Sequence, residues 1–183
     1  MRAQRRRAAH SPAASIGFAP VAGESARILI LGSLPGQTSL QRGEYYAQPQ
    51  NVFWRVMGAL FGAGPNLSYA ERTRRLVERD VAVWDVCASA QRVGSMDASI
   101  ESNSVVENDF AAFYAAHPHI ELIGLNGAAA ATLYERRVFG RLIAPYAGIR
   151  RERLPSTSPA HASMSYEAKL AAWKAFVQLA KSA

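Results

Sequence analysis

Three stretches of this chain carry more polar and aromatic chemistry than a packed core needs. The first, Gly32-Ser33-Leu34-Pro35-Gly36, is a turn with a glycine at each end. No lysine follows its second glycine and the spacing is not G-x-G-x-x-G, so it is neither a P-loop nor a dinucleotide fingerprint. The second is Tyr45-Tyr46-Ala47-Gln48-Pro49-Gln50-Asn51-Val52-Phe53-Trp54. Trp54, at helical spacing to Gly58 and Phe61, suits a core. The group as a whole does not, because Tyr and Asn need polar partners when buried. The third is Leu154-Pro155-Ser156-Thr157-Ser158-Pro159-Ala160-His161-Ala162. Two prolines stiffen three hydroxyls beside a histidine, an arrangement that presents donors at fixed positions. The same run also reads as a turn whose hydroxyls cap the last helix. Upstream of it, Arg136, Arg137, Arg141, Arg150, Arg151 and Arg153 face only Glu152. That cluster suits phosphate contact or a solvated surface.

The elements that must position these stretches follow from hydrophobic pattern. Apolar runs at Arg27–Leu31, Val81–Val86, Ile120–Leu125 and the more polar Ile149–Leu154 predict four strands, the last at an edge. Helical patterns separate them. Residues 51–60 place Val52, Val56 and Leu60 on one face, 68–79 are charged on one side, and 127–137 are Ala-rich. Ser104 and Glu107 form a capping-box signature before Phe110, Phe113 and Tyr114, with His117-Pro118 as the stop. Residues 165–181 stripe Leu170, Trp173 and Val177. Alternating strands and helices imply a three-layer α/β/α sandwich around a central, mostly parallel four-stranded sheet. In such a sheet ligands bind beyond the carboxyl ends of the strands, which here means the segments after Leu31, Val86, Leu125 and Leu154.

The chain has 183 residues, 49% of them hydrophobic, with 21 basic against 14 acidic groups and a net charge of +7. One compact domain over 21–183 fits this length, preceded by a basic, flexible arm over 1–20 that holds Arg2, Arg5, Arg6 and Arg7 and no acid. A single cysteine, Cys87, excludes an internal disulfide and any all-Cys metal or iron–sulfur site within one chain. No apolar run reaches the ~20 residues of a membrane span, and the basic start lacks an apolar signal core.

Taken in order, Gly32 to Gly36, Tyr45-Tyr46, Pro49-x-Asn51-x-Phe53-Trp54 and Leu154 to Pro159 resemble the uracil-DNA glycosylase superfamily. They are most similar to its hypoxanthine-DNA (deoxyinosine) glycosylase family. Trp84-Asp85-Val86, Gly94-Ser95-Met96-Asp97 and Leu125-Asn126-Gly127 agree, so the likeness runs from about Gly17 to the last helix. It implies base-excision repair: a deaminated base, hypoxanthine before uracil, is flipped out of double- or single-stranded DNA and its N-glycosidic bond hydrolysed.

The resemblance also implies roles. Several branches carry a water-positioning Asn or Asp where this chain has Leu34. The branch's key asparagine falls on Asn51, and Glu44 and His161 are the other candidates for that polar function. An oriented water suffices where bond breaking runs ahead of attack, so an Asn is chemically adequate. Asn126 matches the base-recognition asparagine, or alternatively caps the helix after its strand. Phe53 is the implied stacking ring, beside Gly32, Ser33, Leu34, Pro35, Tyr45 and Tyr46. Cys87 reads as a small core residue at a strand end that could line the pocket. Gln91 and Arg92 read as surface. Ser156, Thr157, Ser158, Arg150, Arg151 and Arg153 are the expected DNA contacts.

The only lysines, Lys169, Lys174 and Lys181, lie in the final helix outside every motif, so a monofunctional enzyme that leaves an abasic site is expected. No cofactor and no metal are expected, His117 and His119 notwithstanding. The partner is DNA and not a membrane, the state a monomer, and the location the cytoplasm, at the nucleoid. A catalytically weak DNA-binding member of the fold, or a nucleotide or nucleoside hydrolase, are the rival readings.

Overall fold

Ile28-Leu29-Ile30-Leu31-Gly32 has no polar side chain and buries every residue, as a strand covered on both faces must. The computed structural model describes residues 14–180. Its strands are β1 (Ala14–Ile16), β2 (Ile28–Gly32), β3 (Val81–Asp85), β4 (Cys87–Gln91), β5 (Val106–Glu107), β6 (Leu122–Asn126) and β7 (Arg150–Leu154). Its α-helices are α1 (Gln37–Arg42), α2 (Phe53–Phe61), α3 (Tyr69–Val77), α4 (Phe110–Ala116), α5 (Ala128–Leu133) and α6 (Tyr166–Leu179). The four expected strands form one parallel sheet in the order β3-β2-β6-β7. β7 lies at an edge, which explains how it tolerates a run of charged residues.

Alternation along β3 sends Trp84 to one face and Val83 and Asp85 to the other. On the first face Trp84 packs against Phe110 and Phe113 of α4, and Phe110 meets Tyr134 just past α5. On the second, Phe53 of α2 meets Trp173 of α6 edge-on. Phe176 of α6 lies so close to Gly124 of β6 that a Cβ there would sit 2.8 Å from its ring. Three layers result.

Three expectations change. Ala14–Ile16, assigned to the arm, pairs antiparallel with β4, the Gly17 amide donates to the Ala88 carbonyl, and Val21 bridges to Val83. This segment is held by backbone hydrogen bonds, which hydrophobic periodicity does not register; residues 1–13 of the arm lie outside the described residues. Second, β1, β4 and β5 make a small antiparallel sheet over a cluster of Leu34, Cys87, Ala90 and Val105. The Cys-Ala-Ser-Ala-Gln sequence of β4 offers no apolar alternation to be read by. Third, α4 is capped by Asp109, whose carboxylate accepts from the Ala112 amide. Ser104 instead accepts from the Gln91 amide and so ties down β4.

Candidate active site

The carboxyl ends of the four parallel strands bring together Gly32, Asp85, Asn126 and the 155–159 loop. Ser33 is buried and its hydroxyl donates to Asp97. Leu34 points into the cluster with Cys87, so its side chain packs behind the turn. Arg92, read from sequence as surface, is only 3% exposed. It donates to the carbonyls of Leu34 and Pro35 and lies 3.9 Å from Asp97. A buried guanidinium thus clamps the Gly32–Gly36 turn from below, because those two carbonyls have no strand or helix to accept from. Arg92, Asp97 and Asp85 are the site residues that sequence reasoning missed. The signal lay in the motif pieces Trp84-Asp85-Val86 and Gly94-Ser95-Met96-Asp97, which carry one charged residue each.

The aromatic stretch divides by direction. Tyr45 is core: its hydroxyl reaches the carbonyls of Phe18 and Ala19, and its own carbonyl accepts from the Trp54 indole. Glu44 pairs with Arg72 at 3.7 Å. Tyr46 is half-buried with φ +54°, a left-handed conformation uncommon for a non-glycine residue. That backbone turn lays its ring flat on Phe53, with centroids 3.8 Å apart and planes 19° apart. Phe53 has no exposed surface and is also flanked by Trp54 and Trp173. Tyr46 covers it. Asn51 sits two residues before α2 with Oδ1 accepting from the Phe53 amide, which fixes its carbonyl end and leaves the rest of the amide to solvent.

Hydrogen bonds stitch the stretch to the third motif. The Val52 amide donates to the Thr157 carbonyl. Asn126 and Thr157 are joined by two reciprocal hydrogen bonds: Asn126 Nδ2 donates to Thr157 Oγ1 and the Thr157 amide donates to Asn126 Oδ1, both at 3.0 Å. Asn126 therefore braces a loop and does not cap a helix; the N-cap of α5 is Gly127. Gly127 has φ +97°, and a Cβ on it would sit 2.8 Å from Ser156 Cβ, so only glycine lets the β6 turn approach this loop. Ser156 and Ser158 accept from the amides of Ser158 and Ala160, and α6 is capped by Ser165. These hydroxyls brace their own loop, so the cap reading falls. His161 follows; its carbonyl accepts from the buried Lys169 ammonium at 2.8 Å, and its Nδ1 is buried without a partner.

Electrostatics single out Asp85. Burial, reinforced by Asp97 and opposed by Arg92, pushes its carboxyl up to about 7. Burial also pushes the Cys87 thiol up to about 12, so Cys87 stays protonated and inert as a nucleophile. No three His, Cys, Asp or Glu side chains among the described residues gather as a metal set.

Of the arginines on β7, Arg150 pairs with Glu152 and Arg151 with Glu135 while lying over the Phe139 ring. Arg153 is exposed and makes no such pair. A cleft of about 510 Å³ between Arg27, Asp80 and Glu121 lies at the opposite, amino ends of the strands, away from these motifs.

Comparison with known proteins agrees with this geometry. The family model of the uracil DNA glycosylase superfamily matches residues 20–179. A hypoxanthine DNA glycosylase of Methanosarcina acetivorans is 34% identical over 150 residues, 81% of this chain and 89% of that protein. One of Methanosarcina barkeri is 36% identical over 112 residues, 61% of this chain and 70% of its own. The solution NMR structure of a Methanosarcina acetivorans protein shares the fold with a TM-score of 0.75 at 31% identity, covering 92% of this chain and 99% of that one.

Proposed function

Because this chain belongs to the uracil DNA glycosylase superfamily, we propose that it is a monofunctional DNA glycosylase that hydrolyses the N-glycosidic bond of a deaminated base, hypoxanthine first and uracil second. The observation that carries this reading is the convergence of Asn51, Tyr46 and Asn126 at the carboxyl edge of the sheet, on elements tied together through Thr157.

Extracting a base from a duplex costs a few kcal/mol, so the pocket must offer a ring and polar contacts in exchange. Tyr46 is the ring. Its inner face rests on Phe53, and its outer face takes the base. Asn51 orients the water: the second lone pair of Oδ1 accepts a water proton while Nδ2 donates to sugar or base. As the bond breaks, negative charge builds on the departing base, and donors aimed at it stabilise the transition state. Asn126 Nδ2, which donates to Thr157 and faces Tyr46 Oη, is such a donor when the base enters beside Tyr46. His161 approaches the sugar from the last loop. The braced 155–159 loop and Arg153 grip phosphates beside the target. The enzyme acts as a monomer in the cytoplasm, at the nucleoid.

The test is base release from duplexes carrying one inosine, uracil or xanthine, read by alkaline cleavage at the abasic site. Cleavage fastest at inosine is expected. Cleavage only at uracil would reverse the order of substrates, and none at any base would remove the enzymatic reading.

A further inference from the structure

Helix α6 buries Trp173, Phe176 and Val177, and one turn before Trp173, on the same face, it buries Lys169. Only 5% of this residue is exposed. Enclosing an ammonium costs free energy unless a counter-charge or several acceptors meet it. No carboxylate among the described residues pairs with Lys169, and burial, unopposed by any acid, holds its pKa below the ordinary lysine value. Its hydrogen bond goes to the His161 carbonyl, at 2.8 Å, and uses one of three ammonium hydrogens. A leucine at this position would avoid the cost of burying a charge.

That bond and a second one decide which way the last loop faces. The Trp173 indole donates to the Pro155 carbonyl at 3.1 Å, so two donors one helical turn apart draw both ends of the 155–161 segment onto α6. These peptides are trans, and in a trans peptide the C=O and N–H point in opposite directions. Turning the carbonyls of Pro155 and His161 toward α6 therefore turns the amides of Ser156 and Ala162 away from it. Neither amide gives a hydrogen bond to another described residue, and Ala162 is exposed. An outward amide with a cation behind the same peptide is an anion seat. Bonds from Val52 and to Asn126 tie this loop to the edge where the base departs.

We propose that Lys169 is a positioning residue for DNA: it holds the His161 carbonyl inward, and the outward Ala162 amide, with the ammonium charge behind it, seats one backbone phosphate. On the glycosylase reading above, on which this rests, that phosphate flanks the flipped nucleotide. Lys169 does not touch the phosphate. It orients the peptide that does, and its charge acts through protein, where salt screens it less than it screens a surface arginine.

The experiment measures binding to a duplex with an abasic analogue at the target position, which has no base to release. Each flanking phosphate is replaced in turn by a neutral methylphosphonate. In wild type one replacement raises Kd about tenfold, the scale of one lost charged contact. Lys169→Met, which keeps the chain length but neither donor nor charge, raises Kd on the unmodified duplex by a similar factor. The same methylphosphonate then costs this variant less than about threefold, because both changes remove one interaction. Lys169→Arg keeps a cation and a donor and stays sensitive to that phosphate. Hydrogen exchange adds a readout that needs no variant: the duplex slows exchange of the Ala162 amide in wild type. A lysine that merely pins the loop would lower the Tm of Lys169→Met and leave the methylphosphonate effect unchanged. Equal effects in wild type and Lys169→Met therefore overturn the phosphate seat, as does an Ala162 amide that the duplex leaves unprotected. Base release from a deoxyinosine duplex is measured separately. Coupling of Lys169 to one phosphate with no base release would support the seat and overturn the glycosylase reading.

Discussion

Asn51 and Phe53 are two residues apart, yet the structure gives them opposite situations. Asn51 is half-exposed, with only its Oδ1 engaged. Asn51→Ala should cut base release at least ~100-fold with DNA affinity little changed, since the lost group acts on water and the transition state. Single-turnover rates beside binding isotherms measure this; a loss under threefold would pass the role to His161. Phe53 is wholly buried, so Phe53→Ala should first cost stability, roughly 3–5 kcal/mol in denaturant unfolding. Tyr46→Ala should instead weaken capture of the flipped base by about 1–3 kcal/mol, the range for base–aromatic stacking. If Phe53→Ala folds normally and loses only base capture, the assignment of the ring to Tyr46 is wrong. The motif in the sequence made this stretch visible, but residue types could not say which ring faces out. The positive φ of Tyr46 decides that, and nothing in a Tyr-Tyr pair announces it.

At the scale of elements, the 155–159 loop is held by Asn126 through Thr157 and by its own serines. A loop already ordered loses little entropy when it grips a backbone. Replacing Ser156 and Ser158 with Ala should therefore reduce activity more on duplex than on single-stranded inosine substrates, because only the duplex must be forced to release its base. Equal losses on both would place the serines in the chemistry. The four parallel strands were legible because buried strands are apolar throughout, and their boundaries came within two residues of those observed. The antiparallel sheet was not, for two reasons. β1 and β4 carry small and polar residues, and their pairing is made by backbone groups across more than seventy residues of chain. The buried Arg92–Asp97 clamp was missed similarly, since a charged residue gives no sign in sequence that the fold will enclose it.

For the whole molecule, a net charge of +7 predicts attraction to a polyanion, but intramolecular pairing decides which charges are available. Arg150 and Arg151 are engaged by Glu152 and Glu135, whereas Arg153 is exposed and outside those pairs. Arg153→Ala should lower the log–log salt slope of duplex binding by about 0.9, with smaller changes for the other two. An unchanged slope would return Arg153 to ordinary solvated surface. The central claim, that this fold releases a base from DNA at the edge defined by Asn51, Tyr46 and Asn126, is tested most directly by detecting the free base itself. Wild-type protein is incubated in excess with a deoxyinosine-containing duplex and, separately, with free deoxyinosine, and hypoxanthine is measured by mass spectrometry. Hypoxanthine from the duplex, with an abasic strand left intact and none from the nucleoside, is the predicted result. Hypoxanthine from the nucleoside with the duplex untouched would contradict it.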